Sequence, residues 1–592
     1  MTDVQIKQFR EILFWPLEIP RLSRRVGQDK IHTLTEEFEQ LFTGGGKGPW
    51  QREEDLLIRG DANEDEAGSR YAELVYFHPF VQRFLYGGAD AKQEAIDGNA
   101  TEPQHQPPMR LYRRDDIKRV RVDINGKLDV IVLEIERLHF YLFDHGVAIL
   151  VVEVYSNNPL SLGLVEEFLD RFRRAYPPYW ETQGDAAGHC PREVKWLKAN
   201  ERAIIPGSNY NEARDFIGFV NKNKATMPSR HWQHLLEPLE PWKFDLHKDA
   251  FAYRQIEDER MPFMAYLSLD DPRHLQRGDF IRLCLADGGG DSDKLPYAHG
   301  FLQDFEKNYC YDRFWDPMMR YREDARQANP AYNWLTTRYL CCGYGFVMVG
   351  KDDRKADYPF FTDAKNGALS HFRRHYFQMG LIAHYHRAAL LLFSDALSES
   401  VGKFNSDHPR PFHDEVKIIL GRLLRFTHRY WFREVSNQVQ PRELFALWTK
   451  HLETQALFDQ VKQEAQDAND FLDMQAQKEQ GDEQKKLAEA TKQLSEEQTN
   501  LSKATMRLSV VATVGLPAAL IAAFLAIDWD KLDNRLPNGQ AFKEDGVMVG
   551  LVAGLVIAGM LFTLWQSERL AKGMDWLSNR CKRKKGKTDA GN

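Results

Sequence analysis

Residues 508–527, LSVVATVGLPAALIAAFLAI, are twenty in a row without a charge, and residues 547–565, VMVGLVAGLVIAGMLFTLW, are nineteen more. At 1.5 Å of rise per residue each run is long enough to cross a hydrocarbon core of about 30 Å as a helix. They lie together near the end of a chain whose mean hydropathy is −0.54, so they stand out from a polar background. The expectation is a pair of membrane helices joined by the loop 528–546. That loop carries Asp528, Asp530, Asp533, Glu544 and Asp545 against Lys531, Arg535 and Lys543, whereas the tail 566–592 holds Arg569, Lys572, Arg580, Lys582, Arg583, Lys584, Lys585 and Lys587. Positive charge is retained on the cytoplasmic side, which places both termini inside, the acidic loop outside and the protein in a bacterial inner membrane. Trp529 and Trp565 sit at span ends, where indole rings favour the interface, and Gly550 with Gly554 gives the second span a close-packing face.

Before the first span runs a polar helical pattern, EQKKLAEATKQLSEEQTNLSKATMRLS, in which Leu487, Leu494, Leu501 and Leu508 fall seven apart and Ala490 and Ala504 fill the half-steps. A thin apolar seam of this kind is what helices packed side by side require. It predicts a stalk helix over 441–507, with Gly481-Asp482 as a candidate break, and a homo-oligomer.

Within the first run, Ala512-Thr513-Val514-Gly515-Leu516-Pro517 resembles the A-T-x-x-L-P segment of CorA-type magnesium channels. The resemblance covers about the last 110 residues in detail and the remainder only as layout. It implies a pentamer in the lipid bilayer, with Leu508, Leu516 and Ala519 facing the pore and Leu508 and Leu516 as hydrophobic gates. The family's Gly-Met-Asn signature falls on Ala526, Ile527 and Asp528, followed by Trp529, so the selectivity filter is altered. Five Asp528 carboxylates in a ring would select a hydrated cation by field strength rather than by a fitted shell. The transported or regulatory ion implied is Mg²⁺ or another divalent cation.

The region 1–240 reads as an α/β unit. Apolar β-branched runs at 128–142 and 147–155 are joined by Asp144-His145-Gly146, a hairpin turn. Helical patterns lie at 71–85 and 160–175. Residues 241–365 read as a second strand-rich block, with strands at 263–269, 280–286 and 338–350, and 366–440 as helical, with long patterns at 368–397 and 414–435. The two strand blocks could form one sheet or two. The expected fold class is therefore an α/β cytosolic domain, a long stalk helix and two C-terminal transmembrane helices.

Smaller constellations carry little chemistry. Thr43-Gly44-Gly45-Gly46-Lys47-Gly48 lacks the Ser or Thr of a phosphate loop. Asp287, Asp291 and Asp293 have no closing Glu for a calcium loop. His371 and His375 have the i,i+4 spacing of metal ligands but share their helix with Arg373, Arg374 and Arg387, which favours an anion-binding face, suited to a small nucleotide-like ligand. Six cysteines without a CxxC pair read as reduced thiols. The N-terminus lacks the layout of a signal peptide, so the first 500 or so residues are expected in the cytosol. A net charge of −7 offers no nucleic-acid face, and no catalytic motif is present, so an enzyme is not expected. Two functions are open: a divalent-cation channel gated by its cytosolic domain, or a membrane effector or sensor, as in phage defence, whose cytosolic domain binds a small ligand or partner.

Overall fold

The computed structural model describes residues 4–23, 28–53, 64–87, 108–126, 129–181, 186–199, 207–247, 250–317, 335–357, 359–404 and 410–515, with scattered positions from 518 to 572. It divides into two units, residues 1–472 and 473–592.

The first unit is built on one mixed sheet. Its strands are β1 (Gln5–Glu18), β2 (Trp50–Glu53), β3 (Met109–Arg114), β4 (Arg119–Asp123), β5 (Val130–Phe143), β6 (Val147–Ser156) and β7 (Leu160–Ser161). They continue with β8 (Glu193–Leu197), β9 (Glu240–Pro241), β10 (Ala252–Gln255), β11 (Phe263–Leu269), β12 (Cys310–Tyr311), β13 (Arg338–Cys341) and β14 (Gly345–Lys351). The main order is β12-β13-β14-β11-β1-β6-β5-β3-β2. The two strand blocks of the sequence thus meet in a single sheet. β1 is their junction, antiparallel to β6 on one side and to β11 on the other, and β11 runs parallel to β14.

β1 is buried on both faces, because helices cover the sheet above and below. Phe9, Leu13, Trp15 and Leu17 pack with Val165, Phe168 and Leu169 of the helix Leu162–Arg171 and with Phe280 and Ile281 of the helix Arg277–Leu285. Ile12 and Phe14 face the opposite way, onto Leu381, Ile382 and Tyr385 of the helix Phe377–Gly402 and Trp448 of the helix Val439–His451. A strand packed on both faces reads as a continuous apolar run rather than an alternation. The hairpin between β5 and β6 turns at Gly146, whose φ of 78° suits a residue without a side chain. A Cβ there would also lie 2.5 Å from the Ser23 nitrogen.

Residues 280–286, expected as a strand, form most of a helix instead. Its N-terminus is held by a capping box, in which the Gln276 backbone N–H donates to Asp279 at 2.7 Å. An apolar run of this length fits a buried helix as well as a buried strand, and the caps decide.

The helix Thr454–Val510 is 57 residues long and passes Gly481 unbroken. Within the first unit, Phe458, Val461, Ala465 and Leu472 are buried at helical spacing. Within the second unit its described side chains are exposed from Asp473 onward, apart from the partly exposed Gln475, and Gly481 is partly exposed as well.

The expected transmembrane architecture is corrected here. Among the described residues, no helix is long and apolar enough to cross a membrane. The CorA-like fold with two C-terminal spans, the membrane and ion-transport reading and the inner-membrane location all fall with that finding. The physical reason is legible around the first run. The α-helix that reaches it is charged along its length and stops at Val510, and Val511–Gly515 is wound as a π turn. Of the expected filter and gates, Leu508, Ala519 and Ala526 are described and exposed, whereas Leu516, Ile527 and Asp528 lie outside the described residues. The loop 528–546 also lies outside them, as does the tail 566–592 apart from Arg569 and Lys572.

Candidate functional site

Two local irregularities of the backbone converge on one buried carboxylate. The first is in β5, where the pairing with β6 shifts register between Ile135 and Arg137, leaving Glu136 as the extra residue of a bulge. In a regular strand Glu136 and Arg137 would point to opposite faces. The bulge lets both reach the same cluster, which is the re-aiming that bulges perform. The second irregularity is the π turn Phe372–Tyr376, set between the short helix Ala368–His371 and the helix Phe377–Gly402. Turns of this kind recur at functional positions in helices. Arg373 lies within it.

Glu153 of β6 is where they meet. Its side chain has no exposure, yet three guanidiniums reach it: Arg10 Nη1 at 2.6 Å, Arg137 Nε at 3.1 Å and Arg373 Nε at 3.2 Å. Glu136 lies over the top, 3.3 Å from Arg10 and hydrogen-bonded to Arg373 Nη2. The arginines are further held by Tyr155 under Arg10 at 4.5 Å and Phe377 under Arg137 at 4.1 Å. Arg137 Nη2 also donates to the Arg373 carbonyl at 3.0 Å. Burial alone would raise the Glu153 pKa, but Arg137, Arg10 and Arg373 outweigh it and hold the carboxyl at about 2. Three cations face two carboxylates, so the cluster carries an excess positive charge. It can hold an oxyanion.

The residues singled out in the sequence are distributed differently. Arg373 belongs to this cluster, whereas Arg387 pairs with Glu257 at 3.2 Å and donates to the Leu452 carbonyl at 2.6 Å. Arg374 is partly exposed on the π turn. The three do not form one face. His371 and His375 have ring centroids 4.7 Å apart. Burial pushes both imidazoles down to about 4, so they are neutral near pH 7. His375 Nε2 lies 3.4 Å from the Ala72 carbonyl, with Tyr76 against its ring.

In the aspartate loop, Arg282 donates to the Gly288 and Asp291 carbonyls, each at 3.2 Å. A guanidinium therefore occupies the place a cation would take. Among the described residues no group of three or more His, Cys, Asp or Glu is placed to hold a metal ion. Leu487, Leu494, Leu501 and Leu508 are 69%, 63%, 72% and 71% exposed.

Arg10, Arg137, Glu136 and Glu153 were not legible as a site. Arg10-Glu11 in the middle of an apolar stretch was the available signal: a charged pair inside a strand buried on both faces needs internal partners. The surface clefts of this unit are less suited to a charged ligand. One of about 740 Å³ is lined by Lys222, Arg230 and Lys243, and these already pair with Asp245 at 2.9 Å, Glu212 at 2.5 Å and Glu240 at 2.8 Å.

No protein-family model, curated protein or solved structure matches this chain.

Proposed function

We propose that this chain is a homo-oligomeric sensor, in which an α/β ligand-binding domain is followed by a helix through which copies associate. The observation that carries this reading is the row of leucines at 487, 494, 501 and 508, each at least 63% exposed on the mostly polar stretch of the helix beyond Asp473. A helix that needed no partner would have no use for the row. Burying a leucine stabilises by about 1.5 to 3 kcal/mol, so four per helix are comparable with the several kcal/mol lost when two chains associate.

The flanks support a parallel arrangement of copies. With leucine at the first heptad position, the edge residues that meet across the seam are Lys486 with Thr491, Gln493 with Gln498, and Asn500 with Thr505. No pair sets like charges together. The divalent-cation channel expected from the sequence needed two membrane helices and is not carried forward, because no helix among the described residues is long and apolar enough to be one.

Sedimentation equilibrium of the full chain tests the reading. The wild type should sediment as an oligomer, and a variant with Leu487, Leu494 and Leu501 changed to Ser as a folded monomer. An unchanged mass in that variant would sink it.

A further inference from the structure

We infer that the arginine cluster at Glu153 is a phosphate-binding site that Glu136 occupies from within the chain. The inference names the ligand class of the proposed sensor and in that sense rests on the sensor reading, although the site is defined by its own geometry.

The two carboxylates of the cluster differ in kind. Glu153 is fully buried and bound by all three arginines, so it is part of the framework. The Glu136 side chain is 32% exposed, stands on a bulge as the residue skipped in the pairing of β5 with β6, and among the described residues forms ion pairs with Arg10 and Arg373 only. It can swing into solvent without breaking a ladder pair. What it would leave behind is a shallow seat floored by Arg10, Arg137 and Arg373 with Glu153 beneath.

The charge then selects the ligand. Three guanidiniums less one carboxylate leave a site of charge about +2, and a phosphate monoester carries about −1.5 to −2 near pH 7. A single carboxylate, such as Glu136 itself, neutralises only half of it. Guanidinium forks also match phosphate oxygens in pairs. The seat is already oriented, because ring stacking on Tyr155 and Phe377 fixes two of the three arginines before a ligand arrives.

Occupancy can reach the rest of the domain through Arg373. Its π turn leads into the helix Phe377–Gly402, and Ser394 of that helix donates to Glu464 of the helix Thr454–Val510 at 3.0 Å.

The test is titration calorimetry of the full chain with inorganic phosphate, with acetate as the single-charge comparison. The wild type should bind phosphate weakly, because the internal carboxylate reduces the fraction of open sites. Glu136→Gln should tighten phosphate binding roughly tenfold by removing that competition, and acetate should bind at least tenfold more weakly than phosphate. Arg373→Lys, which keeps the charge and loses the fork, should weaken phosphate at least tenfold. Phosphate affinity that is unchanged or lower in Glu136→Gln would overturn the proposal, as would equal binding of acetate or full binding by Arg373→Lys. Sedimentation of the same samples separates the two readings. Lost phosphate binding in an intact oligomer overturns only the site, and phosphate binding by a monomer overturns only the association.

Discussion

Arg373 Nε lies 3.2 Å from Glu153 Oε1 across 220 residues of chain, and this contact fastens the helical layer to the sheet. Because Glu153 has no exposure and is held ionised by three guanidiniums, removing its charge leaves those cations facing a neutral amide. Breaking a buried ion pair from one side costs about 3 to 5 kcal/mol. Glu153→Gln should therefore lower the unfolding free energy by about that amount in urea, whereas Glu136→Gln at the exposed end should cost under about 1 kcal/mol. Equal small losses in both would mean that Glu153 is not the anchor described.

The buried titratable groups set a stability optimum in pH. Burial holds His145, His231 and His384 at about 3 and His371, His375 and His386 at about 4, against an ordinary 6.5. Between those values the unfolded chain binds more protons, so stability falls as pH drops below 6.5. Burial acts oppositely on Glu166 and Glu257, raised to about 8 and about 7 from 4.5. Here the folded state holds the proton, and stability falls as pH rises through the window from 4.5 to 8. Below pH 6.5 the six histidines outweigh these two carboxyls together with Glu11, raised well above its usual range, and Asp144, raised to about 6. From 6.5 to 8 the raised carboxyls dominate. The thermal midpoint plotted against pH should peak near 6.5, and a plateau from pH 5 to 8 would refute the assignment of neutral buried imidazoles.

The association seam has one interruption that can be tested. Glu497 falls at the half-step between Leu494 and Leu501, where Ala490 and Ala504 stand in the neighbouring repeats. In an assembly of parallel copies it would set like charges against one another, a cost of a few tenths of a kcal/mol or more per pair. Glu497→Ala should strengthen self-association several-fold in sedimentation velocity, with a weaker effect at high salt where the repulsion is screened. No change at low salt would place the interface elsewhere on the helix.

Some of this was legible in the sequence. The hairpin of β5 and β6 announced itself through Asp144-His145-Gly146 and two β-branched runs, because turn chemistry is local. The central strand β1 did not, since Arg10-Glu11 and Pro16 sit inside it, and charges and proline argue against a buried strand. Their acceptance depends on partners far away: Glu153 for Arg10, and for Glu11 the nearby charge of Arg173. The site was hidden for the same reason. Arg373 drew notice as a basic helix residue, but the bulge at Glu136 and the π turn are properties of register between distant segments. The two uncharged runs near the C-terminus were read from length and hydropathy alone. Those quantities permit a spanning helix, and among the described residues no helix is long and apolar enough to be one.

Trp448 ties the hairpin of β13 and β14 to the helical layer. Its indole N–H donates to the Gly343 carbonyl at 2.8 Å, and its ring stacks on Phe346 with centroids 4.7 Å apart. The far edge of the indole rests on Gly380, where a Cβ would lie 2.7 Å from Trp448 Cη2 and 3.2 Å from Phe14 Cζ. Gly380→Ala gains about 1 kcal/mol of helix propensity, but overpacking of about 1 to 3 kcal/mol should outweigh it. Trp448→Phe removes both the colliding edge and the N–H, leaving the Gly343 carbonyl unpaired at about 1 to 3 kcal/mol. In that background the methyl added at position 380 loses its closest contacts and keeps only the 3.2 Å approach to the Phe14 ring edge, so Gly380→Ala should turn from destabilising to neutral or stabilising by up to about 1 kcal/mol. A double-mutant cycle in urea reads the sign change directly, and additive effects would show that Gly380 is not there to make room for the indole.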